Sequence, residues 1–342
     1  MKKLFLILTV FTALTASTFA AKKSAKNDKL KVVTTIFPQY DWTREIMGDK
    51  ASSTQLTLLV GNGVDLHSYQ PSIQDIAKIS TADIFIHVGG ESDGWVKDAL
   101  KNAANKNMKV INLMEVLGDK VKAEEIKEGM QAEEEEDHDD HDAEDHDHEA
   151  EGHHHHHHDD DEEVEYDEHV WLSLRNAKIL SAEIAEALSE KDPANAASYK
   201  ANFASYSAKL DALDKDYTAA IASASKKTIL FGDRFPFRYL TDDYGLDYYA
   251  AFAGCSAETE ASFETVVFLS KKVDGLGLNS VLKIESGDGK IARTIVQNTK
   301  NKTAKVLTLD SIQSTTLKQA NAGTTYLKIM EENLKVLEEA LK

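Results

Sequence analysis

The sequence predicts an α/β protein of two lobes, each a mostly parallel sheet flanked by helices, joined by one long rigid helix. Three observations carry that reading. Short β-branched runs alternate with helix-compatible stretches in the first half of the chain, and the same alternation begins again in the second half. Between the halves lies a long segment with a helical period. Strand-helix alternation with short connections is the pattern of a parallel sheet covered on both faces.

In the first half the strand-like runs are residues 31–37, 54–60, 83–88 and 109–113, with helical stretches at 38–47 and 72–79 between them. The second half repeats the scheme with runs at 228–231, 247–252, 280–284 and 306–309 and a closing helix over about 324–341. The connector spans 193–223. After Pro193 it has neither Gly nor Pro, and Tyr199, Phe203, Tyr206, Leu210, Leu213, Tyr217 and Ala220 recur at steps of four and three. That spacing is helical, and Pro193 suits a first turn. At 1.5 Å per residue such a helix extends about 45 Å, the height of both lobes. The expected organisation is therefore a first lobe over 28–190, a linking helix over 193–223 and a second lobe over 226–342.

Composition narrows the function. The 342 residues carry 58 acidic and 39 basic side chains, a formal charge of −19. Eighteen of the acidic residues lie in 133–163, a stretch without Lys or Arg, so the rest of the chain is close to neutral. This balance excludes a nucleic-acid binder that works by neutralising phosphates. A single cysteine, Cys255, excludes a disulfide framework and any multi-cysteine cluster. Residues 1–20 read as a cleaved secretory signal: Lys2 and Lys3 precede an apolar run broken by Thr9, Thr12, Thr15 and Ser17, too short to anchor in a bilayer. No cysteine follows it, so a periplasmic protein without a lipid anchor is expected.

The tract 131–165 is of another kind. It holds His138, His141, His146, His148, His153, His154, His155, His156, His157 and His158 among carboxylates, with almost no apolar residue, which predicts disorder. The six consecutive histidines lie inside this longer tract rather than at a terminus, which reads as native sequence rather than a tag. Imidazoles at such density bind zinc, nickel and copper, and the carboxylates raise the local cation concentration.

Three histidines remain elsewhere. His67, in GNGVDLHSYQPS, follows a strand and so projects from the carboxyl edge of the first sheet, where ligands bind in open α/β folds. His169, in DEHVWLS, has Asp167, Glu168 and Trp171 as neighbours able to orient and shelter a metal-binding imidazole. His87, in DIFIHVGG, reads as a core histidine. Glu285 follows the strand VLKI at the matching edge of the second lobe. A solvated loop carboxylate or helix cap is the plainer reading of Glu285 alone, but together with two imidazoles it completes a nitrogen and oxygen set suited to zinc and tolerable to manganese or iron.

These stretches, with DDYGL at 242–246 and IESGDGKIA around Glu285, resemble the zinc and manganese solute-binding proteins of ABC importers, the ZnuA or TroA type of cluster A-I. The resemblance covers essentially the whole chain beyond the signal. It implies two α/β lobes joined by one long helix, a metal held between them, and delivery to a membrane permease, with His67 and His169 as ligands and Glu285 as the acidic ligand of the second lobe. One departure stands out. Where such proteins carry a histidine in a run like HDAFGYF, this chain has FGDRFPFRYL, with Gly232 at the histidine's place. Asp233 is the nearest substitute, unless it caps a helix or pairs with Arg234 or Arg238. Cys255 is a second candidate, unless it is a small buried apolar residue; Glu258 and Glu260 are weaker ones, and water is a further donor.

The expectation is then an extracytoplasmic zinc receptor for an ABC importer, monomeric, with Zn2+ as cargo and Mn2+ less favoured, using its His-rich tract for capture. The rival readings are a manganese or iron receptor of the same fold, a zinc store or buffer, and a secreted zinc hydrolase, against which the lack of an HExxH motif counts.

Overall fold

A computed structural model describes residues 29–131, 165–256 and 260–342. The signal and most of the His-rich tract, and with them the expectations of cleavage and disorder, lie outside the described residues.

The first lobe contains β1 (Lys31–Thr34), α1 (Phe37–Met47), β2 (Gln55–Leu58), α2 (Ile73–Ser80), β3 (Ile84–His87), α3 (Val96–Lys101), β4 (Lys109–Asn112), α4 (Leu113–Leu117) and α5 (Leu174–Lys191). Its four strands run parallel in the order β2-β1-β3-β4. β1 stops earlier than its apolar run suggests. The Gln39 side-chain oxygen accepts from the N–H groups of Thr35 and Ile36 at 2.9 and 3.3 Å, where the chain turns from the sheet into α1. α2 begins at a capping box in which Ser72 and Asp75 satisfy each other's backbone N–H groups.

The second lobe repeats the plan with β5 (Thr228–Arg234), α7 (Arg238–Tyr244), β6 (Asp247–Phe252), α8 (Phe263–Leu276), β7 (Ser280–Lys283), α9 (Lys290–Asn298), β8 (Lys305–Thr308), α10 (Leu317–Asn321) and α11 (Tyr326–Ala340), all after the connector α6 (Ala196–Ser223). The strand order is β6-β5-β7-β8, again parallel, so both lobes present the carboxyl ends of their strands as loop-bearing edges.

Helix α6 has 28 residues, about 42 Å of rise. Tyr199, Tyr206, Leu210, Leu213, Tyr217 and Ile221 form its buried stripe. Near its start Asn202 donates to the Ile46 carbonyl of α1 at 2.9 Å; near its end the Tyr217 hydroxyl donates to the Met330 carbonyl of α11 at 2.6 Å. α1 and α11 also meet directly: the Tyr326 N–H donates to Asp41 at 2.7 Å, and Trp42 packs edge-on against the Tyr326 ring. One apolar core consequently runs through both lobes, including Trp42, Trp171, Tyr217, Phe237 and Tyr326. Among the described residues no helix is long and apolar enough to cross a membrane.

Replacing Tyr217 by Phe removes the buried hydroxyl and leaves the Met330 carbonyl without that donor. Denaturant unfolding of Tyr217→Phe should show a loss of about 1–2 kcal/mol, and an unchanged midpoint would show that this link between α6 and α11 contributes nothing.

Candidate metal centre

His67 is placed by a short turn, Leu66–Ser68, after β2. Asp65 caps the turn by accepting the His67 N–H at 3.1 Å, and its other oxygen pairs with Arg234 of the second lobe. Burial alone would push the Asp65 carboxyl up, but the guanidinium, the imidazole and the His67 N–H hold it below its ordinary value. His169 lies just before a turn, Val170–Leu172, ahead of α5, whose first turn is capped by Ser173. Its ring is fully buried against Trp171, with centroids 5.2 Å apart. Trp171 is itself fixed by an N–H donated to the Ser311 carbonyl at 2.9 Å.

The two imidazoles converge. His67 Nε2 and His169 Nε2 are 3.2 Å apart. On the far side of each ring Nδ1 has an oxygen partner: Asp167 at 2.9 Å for His169, and the Ser92 hydroxyl at 2.8 Å for His67, with Glu168 at 3.7 Å. A carboxylate can only accept, so His169 carries its proton on Nδ1 and points a lone pair from Nε2 toward His67. Two nitrogens bound tetrahedrally at 2.0–2.1 Å to zinc would stand about 3.3 Å apart, which is the observed spacing. Burial, then the nearby His169, press the His67 imidazole down to about 3, so it stays neutral and able to coordinate.

A third candidate donor comes from the second lobe. Cys255 Sγ lies with the two imidazole nitrogens in one group whose atoms are all within 4.8 Å of one another. It sits on the loop after β6, where Gly254 rests on the His169 ring. A Cβ there would lie 3.3 Å from that ring and 2.8 Å from the Phe235 carbonyl oxygen, so the close approach requires glycine. Burial and the carboxylates of Glu124, Asp167 and Glu168 push the thiol well up, keeping it protonated until a cation replaces the proton.

The other expected donors are differently employed. Glu285 is committed to the loop after β8: it accepts from the Ser311 N–H at 2.7 Å, the Ser314 N–H at 3.3 Å and both serine hydroxyls, and it is not part of the donor group. Its charge and burial push the neighbouring Asp310 up to about 7, burial being the larger cause. Asp310 escaped the sequence reading although it follows β8 just as Glu285 follows β7, a positional signal that was available. Asp233 accepts from the backbone N–H groups of Arg234 and Ile284 at 3.0 and 3.2 Å. Arg238 pairs with Asp242 and Glu125 rather than with Asp233. Gly232 has a steric cause: a Cβ would lie 2.4 Å from the Ala292 Cα of α9, so no histidine fits there. Glu260 lies exposed on the rim, 3.7 Å from Lys290, and Glu258 and the ten tract histidines lie outside the described residues. His87 is buried and pairs with Asp93 at 3.2 Å. A cavity of about 530 Å³ opens beside His67 between the lobes, lined by Asp65, Gly232, Asp233 and Arg234 among others.

With this geometry in view, residues 32–340 match the family described as zinc-uptake complex component A, periplasmic, ZnuA. The chain belongs to the ZnuA family. It is 30% identical over 341 residues to the high-affinity zinc uptake system protein ZnuA of Bacillus subtilis, covering 99% of this chain and 97% of that protein. It is 33% identical over 339 residues to the zinc-binding lipoprotein AdcA of Streptococcus pneumoniae serotype 4, covering 99% of this chain and 61% of that protein. The chain thus spans about three fifths of the AdcA relatives it matches, and the S. pneumoniae one is named a lipoprotein, unlike the anchor-free protein expected from the leader. The Zn(II)-bound ZnuA-like domain of S. pneumoniae AdcA superposes with a TM-score of 0.65 at 26% identity, over 92% of this chain and 99% of that one. Within this family fold the two-lobe α/β architecture read from the sequence is confirmed.

Two outcomes follow from the centre's packing. Because the folded value of His67 lies below the ordinary 6.5, the unfolded chain binds a proton that the folded chain refuses between pH 6.5 and about 3. Its share of stability is intact above pH 6.5 and falls as pH drops; about 2 kcal/mol should be lost by pH 5. Unfolding of the metal-free chain against pH should show this slope, reduced in His67→Gln. Gly232→Ala should destabilise by about 3 kcal/mol through displacement of α9, whereas a neutral effect in denaturant unfolding would refute the steric account.

Proposed function

We propose that this chain is an extracytoplasmic zinc receptor that delivers Zn2+ to the permease of an ABC importer. The observation that carries the reading is the pair of Nε2 atoms 3.2 Å apart with each Nδ1 held by an oxygen. Such an arrangement orients both rings for one shared cation. The donors from the first lobe are His67 and His169, and Cys255 reaches them from the second. Two imidazoles and a thiolate favour zinc over manganese, which prefers carboxylate and water oxygens. The names of the zinc-binding and zinc-uptake relatives support the same cargo.

The chain acts by binding and release rather than by catalysis. Capture removes the Cys255 proton and ties the lobes together through the ion. Release follows when the lobes part enough to withdraw the thiolate from the imidazoles. Glu285, held by Ser311 and Ser314, acts with Asp310 as a source of negative charge on the second-lobe side. The tract 131–165 gathers cations for the cleft.

His67→Ala and His169→Ala should each abolish the single tight zinc site in competition titrations with a chelator. Glu285→Ala should weaken it only about tenfold, the loss of a neighbouring charge rather than of a ligand. Deleting 133–163 should remove weaker sites and retain the tight one; loss of tight binding in that deletion sinks the cleft reading. Zinc uptake by cells lacking the protein separates a receptor from a store, because only a receptor's absence lowers the uptake rate.

A further inference from the structure

The His67 turn and the Cys255 loop belong to different lobes, and one guanidinium touches both. Arg234 pairs with Asp65, whose other oxygen caps the turn that carries His67. From the same guanidinium Nη1 reaches the carbonyl of Ser256, the residue after Cys255, at 3.5 Å.

The fold builds this position for Arg234. Phe231 pairs with Ala250 and Arg234 with Phe252, so three steps along β5 are matched by two along β6. A bulge of this kind re-aims the side chains beside it. Asp233, inside the irregularity, accepts from the N–H groups of Arg234 and Ile284 at 3.0 and 3.2 Å, which pins the bulge to the end of β7. The side chains of Arg234 and Asp65 are 14% and 18% exposed, so salt and water screen their attraction only in part. Around His169 the lobes are joined by other means. The Tyr239 hydroxyl donates to the Asp167 carbonyl at 2.8 Å and accepts the Lys122 N–H at 3.0 Å, and Trp171 is tied to the Ser311 carbonyl. At the His67 turn the tie is ionic.

We propose that Arg234 is a positioning residue of the zinc site, a clasp between the His67 turn and the Cys255 loop that sets how fast the ion leaves. The proposal deepens the receptor reading and rests on it for its cargo. Charges that belong to the protein hold the two donor-bearing loops at one separation before an ion arrives, so capture needs little reorganisation. Release requires the loops to part, and the Asp65–Arg234 pair must separate with them. Truncating one partner of a shielded charge pair acts mainly on dissociation.

In the full chain, Arg234→Gln should speed zinc release to a chelator about tenfold in stopped-flow mixing, and Arg234→Lys should restore most of the wild-type rate. Asp65→Asn keeps an oxygen able to cap the His67 turn and should speed release as much. The double variant should be no faster than either single one, because both substitutions break the same contact. Wild-type release in Arg234→Gln, or in Asp65→Asn should the first not fold, overturns the clasp, and so do additive effects of the two. The metal-free chain supplies a second measurement. Cys255 is the sole cysteine, so alkylation by iodoacetamide reports its loop alone. Arg234→Gln should raise the alkylation rate; loss of a positive charge by itself would disfavour the thiolate and lower it. If the wild type holds no zinc tightly, the receptor reading fails, and alkylation decides the clasp: a faster rate in Arg234→Gln keeps it, an unchanged or slower one overturns it.

Discussion

The structure turns on two ring nitrogens aimed at one point. With the His169 proton fixed on Nδ1 by Asp167, its Nε2 is an acceptor only, 3.2 Å from its counterpart on His67. Without a cation this spacing is tolerable only if His67 carries its proton on Nε2 and donates it across. With a cation that proton must move to Nδ1. The Ser92 hydroxyl opposite Nδ1 can either donate or accept, so it serves both states without rearrangement of the backbone. Ser92 is in turn held by its own N–H, donated to Glu168 at 2.8 Å. Asp167, Glu168 and Ser92 therefore decide what the imidazoles can do, although none of them is needed as a ligand.

The scaffold makes that alignment durable. Identical strand orders in the two lobes bring two carboxyl edges face to face, and a parallel sheet carries its loops at those edges because every strand ends there. The lobes do not hang on flexible strands. α6 runs past both, α1 and α11 interlock through Trp42, Asp41 and Tyr326, and one apolar core is continuous across the junction. Opening this cleft wide would expose that core, so a small displacement of the Cys255 loop is a less costly way to free an ion than a full hinge motion.

Much of this was legible in the chain. Short β-branched runs located the eight strands of the described residues, and a helical period located the connecting helix, because both patterns record burial. His67 was read from its place after a strand and His169 from its acidic and aromatic neighbours, and the structure sets their Nε2 atoms 3.2 Å apart. Glu285 shows the limit of that logic. A position after a strand tells that a side chain reaches an edge, not which neighbours will take its oxygens, and Ser311 and Ser314 lie across a helix and a strand from it. The absence of a histidine at Gly232 was plain, but its cause is the backbone of α9, a contact of tertiary origin that no local pattern encodes. Cys255 stood as one of several open substitutes, and only the placement of Gly254 against the His169 ring brings its sulfur to the imidazoles.

The glycine and the cysteine belong to one exchange. Gly232 lets α9 lie directly on β5, which closes the place where a histidine would have stood; on the proposed reading the donor instead comes from the loop after the neighbouring strand, β6, over Gly254. The exchange alters electrostatics as well as geometry. Three neutral imidazoles leave a dication with its full charge in a partly buried cleft, whereas two imidazoles and a thiolate leave a single positive charge. Burying charge in a low-dielectric site is costly, and an anionic ligand removes much of that cost at the ion itself. The thiolate also discriminates: a soft donor strengthens the hold on zinc far more than on manganese, whose bonding prefers oxygen. On the proposed reading, a chain with glycine at 232 and cysteine at 255 holds its ion in a site less charged and more selective than three imidazoles would give.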